Sequence, residues 1–242
     1  MTKQRADRLL VARGFFASRT RAQAAIAAGR VSVDRVRLRK AAEQISANAA
    51  IEAEPEHPYV SRGAVKLAAA LDHFSLEVGG RVCLDVGAST GGFSELLLER
   101  GARCVYAVDV GCDQLHARLR GDRRIVSLER TDIRALDPSR FSEPPDFASI
   151  DVSFISLKLV LPAIEKLLQK RATLLALIKP QFEAGRRDVK KGIVRDPAVH
   201  TTVCAGIEAC LNTRGWHVRG VIPSPIRGGD GNREFFIQAD RG

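Results

Sequence analysis

The sequence predicts an α/β protein with a Rossmann-like, doubly wound sheet of seven strands, preceded by a small α+β domain. Three observations support this fold class: strands and helices alternate after residue 60, a glycine-rich turn follows the first of those strands, and the first 40 residues carry a separate pattern. Alternating strands and helices joined by short links are typical of a mainly parallel sheet. The chain has 242 residues, 45% of them hydrophobic, which is enough for one large and one small domain.

The N-terminal pattern is that of two helices and a β-hairpin, predicted at residues 5–13, 18–29 and 31–39. Ser18 is a favourable N-cap for the second helix because its hydroxyl can accept a bond from a free backbone N–H. Residues 51–58 are acidic and contain two prolines, which is typical of a boundary. We therefore predict an N-terminal domain, a linker and a large domain, at residues 1–50, 51–60 and 61–242.

After a helix at residues 62–74, the larger domain alternates strands with helices. Strands are predicted near 81–86, 103–109, 125–129, 146–151, 173–178, 217–222 and 234–239, and helices near 91–101, 112–120, 156–170 and 196–214. The last two strands are joined only by a loop, so they should form an antiparallel pair at one edge. A seven-stranded sheet of this form is the usual architecture of methyl transfer from S-adenosylmethionine.

The positive charge of the chain is concentrated at its N-terminus. The net charge is +10, and residues 1–40 hold eleven Lys or Arg against two Asp. A basic segment on a near-neutral body indicates a polyanionic partner, nucleic acid or an anionic membrane. No apolar run is long enough to span a bilayer, and no signal peptide is visible, so we expect a cytoplasmic protein. Five cysteines without a Cys-x-x-Cys pair, and five histidines without ligand spacing, predict neither disulfides nor a metal site.

The glycine-rich turn has the pattern Gly87-x-x-x-Gly91-Gly92. It lacks the tight Gly-x-Gly-x-x-Gly cradle of a dinucleotide site and suits a ligand with a ribose and an amino-acid tail. Asp109 ends the next strand about twenty residues later, where a carboxylate binds ribose hydroxyls. Asp132 follows the third strand and is expected either to accept from an adenine amino group or to stabilise a turn. The predicted cofactor contacts are Asp85, Gly87, Ser89, Gly91, Gly92, Phe93, Asp109, Asp132 and Asp151.

Four charged residues are predicted to meet at the carboxyl edge of the parallel strands: Lys66, Asp151, Lys179 and Glu234. Asp151 and Lys179 end adjacent strands, and Glu234 begins an antiparallel strand, so its start lies at the same edge. A ribose hydroxyl becomes a nucleophile when its proton is removed or its developing oxyanion is stabilised. We assign the base role to Lys179 and oxyanion stabilisation to Lys66, with both carboxylates orienting the lysines and the target.

Residues 60–242 resemble the FtsJ-type 2′-O-ribose RNA methyltransferases, most closely the TlyA family. The segments that carry the resemblance contain Ser61-Arg62-Gly63, Asp85-Val86-Gly87, Asp151-Val152-Ser153-Phe154, Lys179-Pro180-Gln181-Phe182 and Gly231-Asn232-Arg233-Glu234. The resemblance implies the Lys–Asp–Lys–Glu tetrad, S-adenosylmethionine as cofactor, and cytidine 2′-hydroxyls of 16S or 23S rRNA as targets. The family also carries an older label, hemolysin.

Residues 5–45 resemble the S4 RNA-binding domain, at positions that include Arg8-Leu9, Ser18-Arg19 and Gly29. At the hairpin tip, Asp34-Arg35 stands where that family often has Asn-Gly, and because Arg is poorly suited to a positive φ we expect a different turn. The resemblance implies rRNA or ribosomal subunits as partners.

We also expect a second RNA contact from the loop at residues 183–197, and a monomeric protein. The predicted RNA contacts are Arg5, Arg8, Arg19, Arg21, Arg30, Lys40, Arg62, Arg186, Arg187, Lys190 and Lys191. Two other function classes stay open at this point: a non-catalytic rRNA-binding or ribosome assembly protein, and a membrane-active hemolysin.

Overall fold

The computed structural model describes residues 3–16, 18–54, 57–228 and 231–242. The chain divides into two compact units, Met1–Pro58 and Tyr59–Gly242. Each unit has its own hydrophobic core.

The N-terminal unit contains the predicted pair of helices and the hairpin, and three further strands. Its elements are β1 (Lys3–Arg5), α1 (Ala6–Ala12), α2 (Arg19–Ala27), β2 (Val31–Val33), β3 (Val36–Arg37), β4 (Gln44–Ser46) and β5 (Ile51–Ala53). The Ser18 hydroxyl accepts from the Arg21 backbone N–H at 3.3 Å, which caps α2 as predicted. Apolar side chains at helical spacing, including Leu10 and Ile26, are buried in the core of this unit.

Two details of this unit differ from the sequence prediction. Ile51–Ala53 lies within the predicted linker, but it pairs with β2 as the third strand of the hairpin sheet, because Ile51 and Ala53 pack against the core of the unit. The expectation of a different hairpin turn is wrong. Asp34 and Arg35 both have positive φ, of 50° and 66°, as the two central residues of an Asn-Gly turn do. The Asp34 carboxylate accepts from the Ala50 backbone N–H at 2.9 Å, which stabilises this turn.

The larger unit contains the predicted seven-stranded sheet, which confirms the fold class. Its strands are β6 (Val82–Val86), β7 (Cys104–Val108), β8 (Ile125–Leu128), β9 (Phe147–Ile150), β10 (Ala172–Ile178), β11 (His217–Pro223) and β12 (Phe235–Arg241). The strand order is β11-β12-β10-β9-β6-β7-β8, and β12 runs antiparallel to both of its neighbours. The last two strands thus form an antiparallel pair at one edge, as predicted.

Helices cover both faces of this sheet, and two hydrophobic cores lie beneath them. The helices are α3 (Gly63–His73), α4 (Gly92–Glu99), α5 (Ala117–Arg120), α6 (Leu157–Leu167), α7 (Pro180–Glu183) and α8 (Pro197–Thr213), with short 3-10 turns at Ile133–Ala135 and Pro138–Arg140. Every residue of β10 is buried, as expected for a strand covered on both faces. No helix within the described ranges is long and apolar enough to cross a membrane.

The helix predicted at residues 112–120 is shorter than expected and comprises only Ala117–Arg120. The backbone N–H groups of Asp113, Gln114 and Leu115 instead donate to the Glu129 carboxylate at 2.8–3.0 Å. These bonds lower the pKa of Glu129 and give the segment an alternative to helical pairing.

Candidate active site

The glycine turn links β6 to α4 and requires glycine at two positions. Gly87 has φ +85°, and a Cβ built there would lie 2.5 Å from the Asp151 carbonyl oxygen. Gly91 has φ +91°, and a Cβ there would overlap the Leu115 and Leu119 side chains. The predicted contact at Gly91 is therefore buried against α5, and its glycine is explained by packing.

A cavity of about 240 Å³ opens beside this turn. It is lined by residues from three separate segments, including Lys66, Gly87, Ser89, Gly92, Phe93 and Asp151. Phe93 is also packed into the core, 6.3 Å from the Phe236 ring, so only part of it is available to a ligand. The free N–H groups at the start of α4 fit a polar ligand held close to the backbone.

Asp85 lies behind the turn and does not line the cavity. It is fully buried, and its carboxylate accepts hydrogen bonds from the hydroxyls of Ser94, at 2.7 Å, and Ser149, at 3.4 Å. Burial raises the pKa of Asp85 to about 7, and the nearby negative charge of Asp151 adds to this. The prediction of a direct cofactor contact is therefore corrected: Asp85 fastens the first turn of α4 to β6 and β9.

Two further predicted ligand carboxylates, Asp109 and Asp132, differ in the bonds that their oxygens already accept. Asp109, at the end of β7, is half-buried and accepts from the backbone N–H groups of Ser89 (2.8 Å) and Gly111 (2.7 Å). These bonds hold the carboxylate beside the glycine turn. Asp132 caps the 3-10 turn and forms an ion pair with Arg134 at 2.6 Å, and this hydrogen bonding lowers its pKa. The structure thus gives Asp132 the turn role that was its alternative, and its adenine contact stays a prediction.

The four predicted catalytic side chains form two ion pairs. Lys66 Nζ lies 2.6 Å from Glu234 Oε2, and both side chains are almost completely buried. Lys179 Nζ lies 2.6 Å from Asp151 Oδ1 and also donates to the Ser153 hydroxyl at 2.8 Å. The strands that carry these residues are arranged as predicted: β9 and β10 are adjacent and parallel, and β12 is antiparallel to β10. Lys66 and Asp151 line the same cavity as the glycine turn.

Sequence reasoning missed three residues around this site. Glu95, on α4, is buried and accepts from the Val60 backbone N–H at 2.6 Å. Asn232 is buried beside Glu234 and contacts the basic loop described below. Phe154 follows Asp151 on a backbone with φ +63°, is 91% exposed, and has its ring 5.0 Å from that of Phe182. The position of an aromatic residue three places after the predicted catalytic Asp151 was the signal that could have drawn attention to Phe154.

The predicted RNA contacts of the N-terminal unit fall into two groups. Arg5 and Arg19 are tied to the buried carboxylate of Asp7, at 3.1 and 2.8 Å, and Gln23 donates to it as well. These bonds hold the pKa of Asp7 well below its usual range. Arg8, Arg30 and Lys40 are exposed, and Arg21 is half-buried. Arg5, at the end of β1, and Arg19, at the start of α2, are therefore pre-oriented by an acidic neighbour that their own sequence positions do not reveal.

In the larger unit, the predicted contacts at Arg62, Arg186, Arg187, Lys190 and Lys191 are all exposed. The last four belong to the segment between α7 and α8, residues 184–196, which we call the basic loop. Its tip is a tight turn closed by paired backbone bonds between Lys190 and Ile193.

Three side chains with potential metal-ligand atoms, Cys112, Asp113 and Glu129, lie within 4.8 Å of one another at the surface. The Glu129 oxygens already accept three backbone bonds, and Cys112 accepts from Arg130 Nε at 2.9 Å. We assign this cluster to the loop architecture.

Comparison with known proteins gives consistent matches over both units. Residues 59–241 match the family described as FtsJ-like methyltransferase, and residues 4–51 match the S4 domain. The 16S/23S rRNA (cytidine-2'-O)-methyltransferase TlyA of Mycobacterium tuberculosis is 43% identical over 99% of this chain and 92% of its own. Hemolysin A of Brachyspira hyodysenteriae is 40% identical over 96% of this chain and 98% of its own.

A solved structure of a hemolysin-named protein from Streptococcus thermophilus superposes with a TM-score of 0.79 and 43% identity, covering all of this chain and 89% of that one. The two resemblances inferred from the sequence are confirmed by these matches.

Proposed function

Because the chain belongs to the FtsJ-like methyltransferase family, and so uses S-adenosylmethionine, we propose that it methylates the ribose 2′-hydroxyl of a cytidine in ribosomal RNA. The observation that carries this proposal is the pair of ion pairs, Lys66–Glu234 and Lys179–Asp151, beside the glycine turn. The relative from M. tuberculosis is named for this reaction on 16S and 23S rRNA, and its similarity extends over almost the whole chain.

The cofactor is held by the glycine turn in this account. The backbone at Gly87 and Ser89 approaches the ligand, and the Asp109 carboxylate is oriented toward the ribose by its two backbone bonds. When bound, S-adenosylmethionine supplies an electrophilic methyl group on a sulfonium. Asp151, whose main chain packs over Gly87, joins the ligand cavity to the catalytic lysine.

Lys179 removes the proton of the attacking hydroxyl. Its Nζ is fixed from two sides, by Asp151 Oδ1 and by Ser153 Oγ, so the amine has a defined direction. Such positioning matters because a misplaced base loses much of the roughly 10²–10⁴-fold that general base catalysis supplies. In its neutral form the Lys179 amine would take the proton of the 2′-oxygen as the new carbon–oxygen bond forms and the methyl–sulfur bond of the donor breaks.

Lys66 stabilises the negative charge that develops on the 2′-oxygen. It lies early in α3, in a nearly dry setting where an ammonium group acts more strongly than in water. Glu234 holds the Lys66 amine at 2.6 Å and so prevents the side chain from turning into the core.

Phe154 provides a surface for the target base in this proposal. Its ring is exposed three residues after Asp151 and is supported by Phe182 from behind. A large apolar ring that is 91% exposed gains little from the fold, whereas a nucleobase that leaves its stack needs an aromatic partner. We infer that the base of the modified nucleotide stacks on Phe154.

The N-terminal unit binds the folded RNA through phosphates, because its basic residues are many and the chain contains only 5% aromatic residues. We infer that the protein acts as a monomer, without a metal, on rRNA or a ribosomal subunit. A ribosomal substrate implies that it works in the cytoplasm.

The test is methyl transfer from isotopically labelled S-adenosylmethionine to 16S rRNA, 23S rRNA and isolated subunits, followed by digestion to nucleosides. The proposal predicts that the label is recovered in 2′-O-methylcytidine. Label on a base would contradict the ribose assignment. Failure to bind S-adenosylmethionine would favour a non-catalytic assembly role, and leakage of liposomes at physiological salt would favour the hemolysin alternative.

A further inference from the structure

Asn232 connects two parts of the larger unit that are distant in sequence. Its side chain is 2% exposed and makes two hydrogen bonds to the basic loop. Asn232 Nδ2 donates to the Gly192 carbonyl oxygen at 2.9 Å, and Oδ1 accepts from the Val194 N–H at 3.1 Å. An amide that is both donor and acceptor is needed to satisfy both backbone groups, so neither aspartate nor an apolar residue would replace it fully.

The loop segment that Asn232 contacts is the tight turn at the tip. Lys191 and Gly192 both have positive φ, of 52° and 77°, and this conformation is costly for lysine. His200, on α8, supports the same segment, with its Nε2 3.0 Å from the Val194 carbonyl oxygen. The surrounding structure therefore fixes a strained turn whose lysine side chains are exposed.

The other end of this connection is the catalytic pair. Glu234 follows Asn232 by two residues, and its backbone oxygen accepts from the Ser224 N–H at 2.8 Å. Its side chain contacts Lys66, and a Cβ added at Gly228 would lie 2.5 Å from Glu234 Oε1. The carboxylate thus has little freedom to move independently of the backbone that carries Asn232.

We propose that Asn232 is a positioning residue that locks the basic turn to the segment carrying Glu234, so that RNA bound by the turn keeps the Lys66–Glu234 pair in its catalytic position. This inference rests on the proposed RNA substrate. The proposal explains why the turn is held rigid. A flexible loop with the same lysines would bind phosphates equally well without a fixed tip.

The first experiment compares Asn232→Ala with the wild-type protein in steady-state methylation of rRNA. We expect kcat to fall and the KM for RNA to rise, with kcat/KM lower by about tenfold because two buried hydrogen bonds are lost. The affinity for S-adenosylmethionine should be unchanged. Asn232→Asp, which keeps the acceptor but not the donor, should fall between the two.

Gln238→Ala is the matched control. It removes another amide that is 2% exposed on β12, whose bond goes to Asp240 at the far end of the strand. Gln238→Ala should lower the melting temperature and leave both kcat and the KM for RNA unchanged. If Asn232→Ala likewise changes only the melting temperature, the inference is wrong.

A double-mutant cycle with Lys190→Ala tests the connection itself. Lys190→Ala should reduce kcat in the wild-type background and have much less effect on kcat when Asn232 is already alanine. Additive effects would overturn the inference while leaving the proposed function intact. A wild-type protein that methylates no RNA would instead refute the proposed function, and this inference with it.

Discussion

The buried carboxylate of Asp85 predicts an unusual dependence of stability on pH. Replacing it in Asp85→Asn keeps the shape of the side chain and removes the charge. The amide oxygen can still accept from Ser94 Oγ, and the amide N–H₂ can donate to Ser149 Oγ, so both contacts of the native side chain keep a partner. The two proteins should therefore differ mainly in the cost of ionising residue 85 in the folded state.

The size of that cost follows from the pKa, which burial raises from 3.8 in the unfolded chain to about 7 in the folded one. Below pH 3.8 the carboxyl group is protonated in both the folded and the unfolded state, so it does not lower the free energy of unfolding. Between these two pKa values the unfolded state releases its proton and the folded state keeps it, so the folded state loses relative stability as the pH rises. At about 1.4 kcal/mol per pH unit, the penalty reaches roughly 4 kcal/mol above pH 7.

The assay is urea unfolding of both proteins from pH 4 to pH 8. The free energy of unfolding of Asp85→Asn, minus that of the wild-type protein, should grow with pH and level off above pH 7. Titrating groups that do not interact with residue 85 contribute equally to both proteins and cancel. A difference that is constant over this range would show that Asp85 does not stay protonated in the folded state, and the reasoning from its burial would fail.

Three further predictions test other parts of the account. Gly87→Ala should weaken S-adenosylmethionine binding roughly tenfold or more in calorimetry, because it strains a positive φ and contacts the Asp151 carbonyl; unchanged affinity would contradict this. Phe154→Ala should leave the unfolding free energy within about 0.5 kcal/mol yet lower kcat/KM for RNA by tenfold or more through lost stacking; equal kcat/KM would remove its assigned role. Asp7→Asn should destabilise the protein by about 2 kcal/mol at pH 7. This deficit should shrink toward pH 3, because the lowered pKa of Asp7 stabilises the fold only where the unfolded group is ionised; a deficit independent of pH would refute the charge assignment.

The features that the sequence predicted well are those set by periodicity and by topology. The alternation of strands and helices specifies the sheet, and the rule that parallel strands end at one edge brings Asp151 and Lys179 together. The same rule, applied to an antiparallel final strand, places Glu234 at that edge beside Lys66.

The features that could not be predicted from the sequence depend on contacts between distant residues or on backbone conformation. Asp85 directly precedes the glycine turn, but whether its carboxylate faces the ligand or the core depends on the hydroxyls of Ser94 and Ser149. Nothing in the sequence around Asp7 indicated that its carboxylate would bind both Arg5, before α1, and Arg19, after it. The positive φ of Phe154 could not be predicted from the sequence, since the residue type itself disfavours it.

The central claim is that the Lys–Asp–Lys–Glu group performs the methyl transfer with Lys179 as its base, beside a cofactor site that does not depend on Lys179. The most direct test measures rRNA methylation and S-adenosylmethionine binding for Lys179→Ala, with Lys158→Ala, an exposed lysine on α6, as the control. The account predicts that Lys179→Ala binds the cofactor normally and forms at least a hundredfold less 2′-O-methylcytidine, while the control stays active. Near-normal methylation by Lys179→Ala would contradict it.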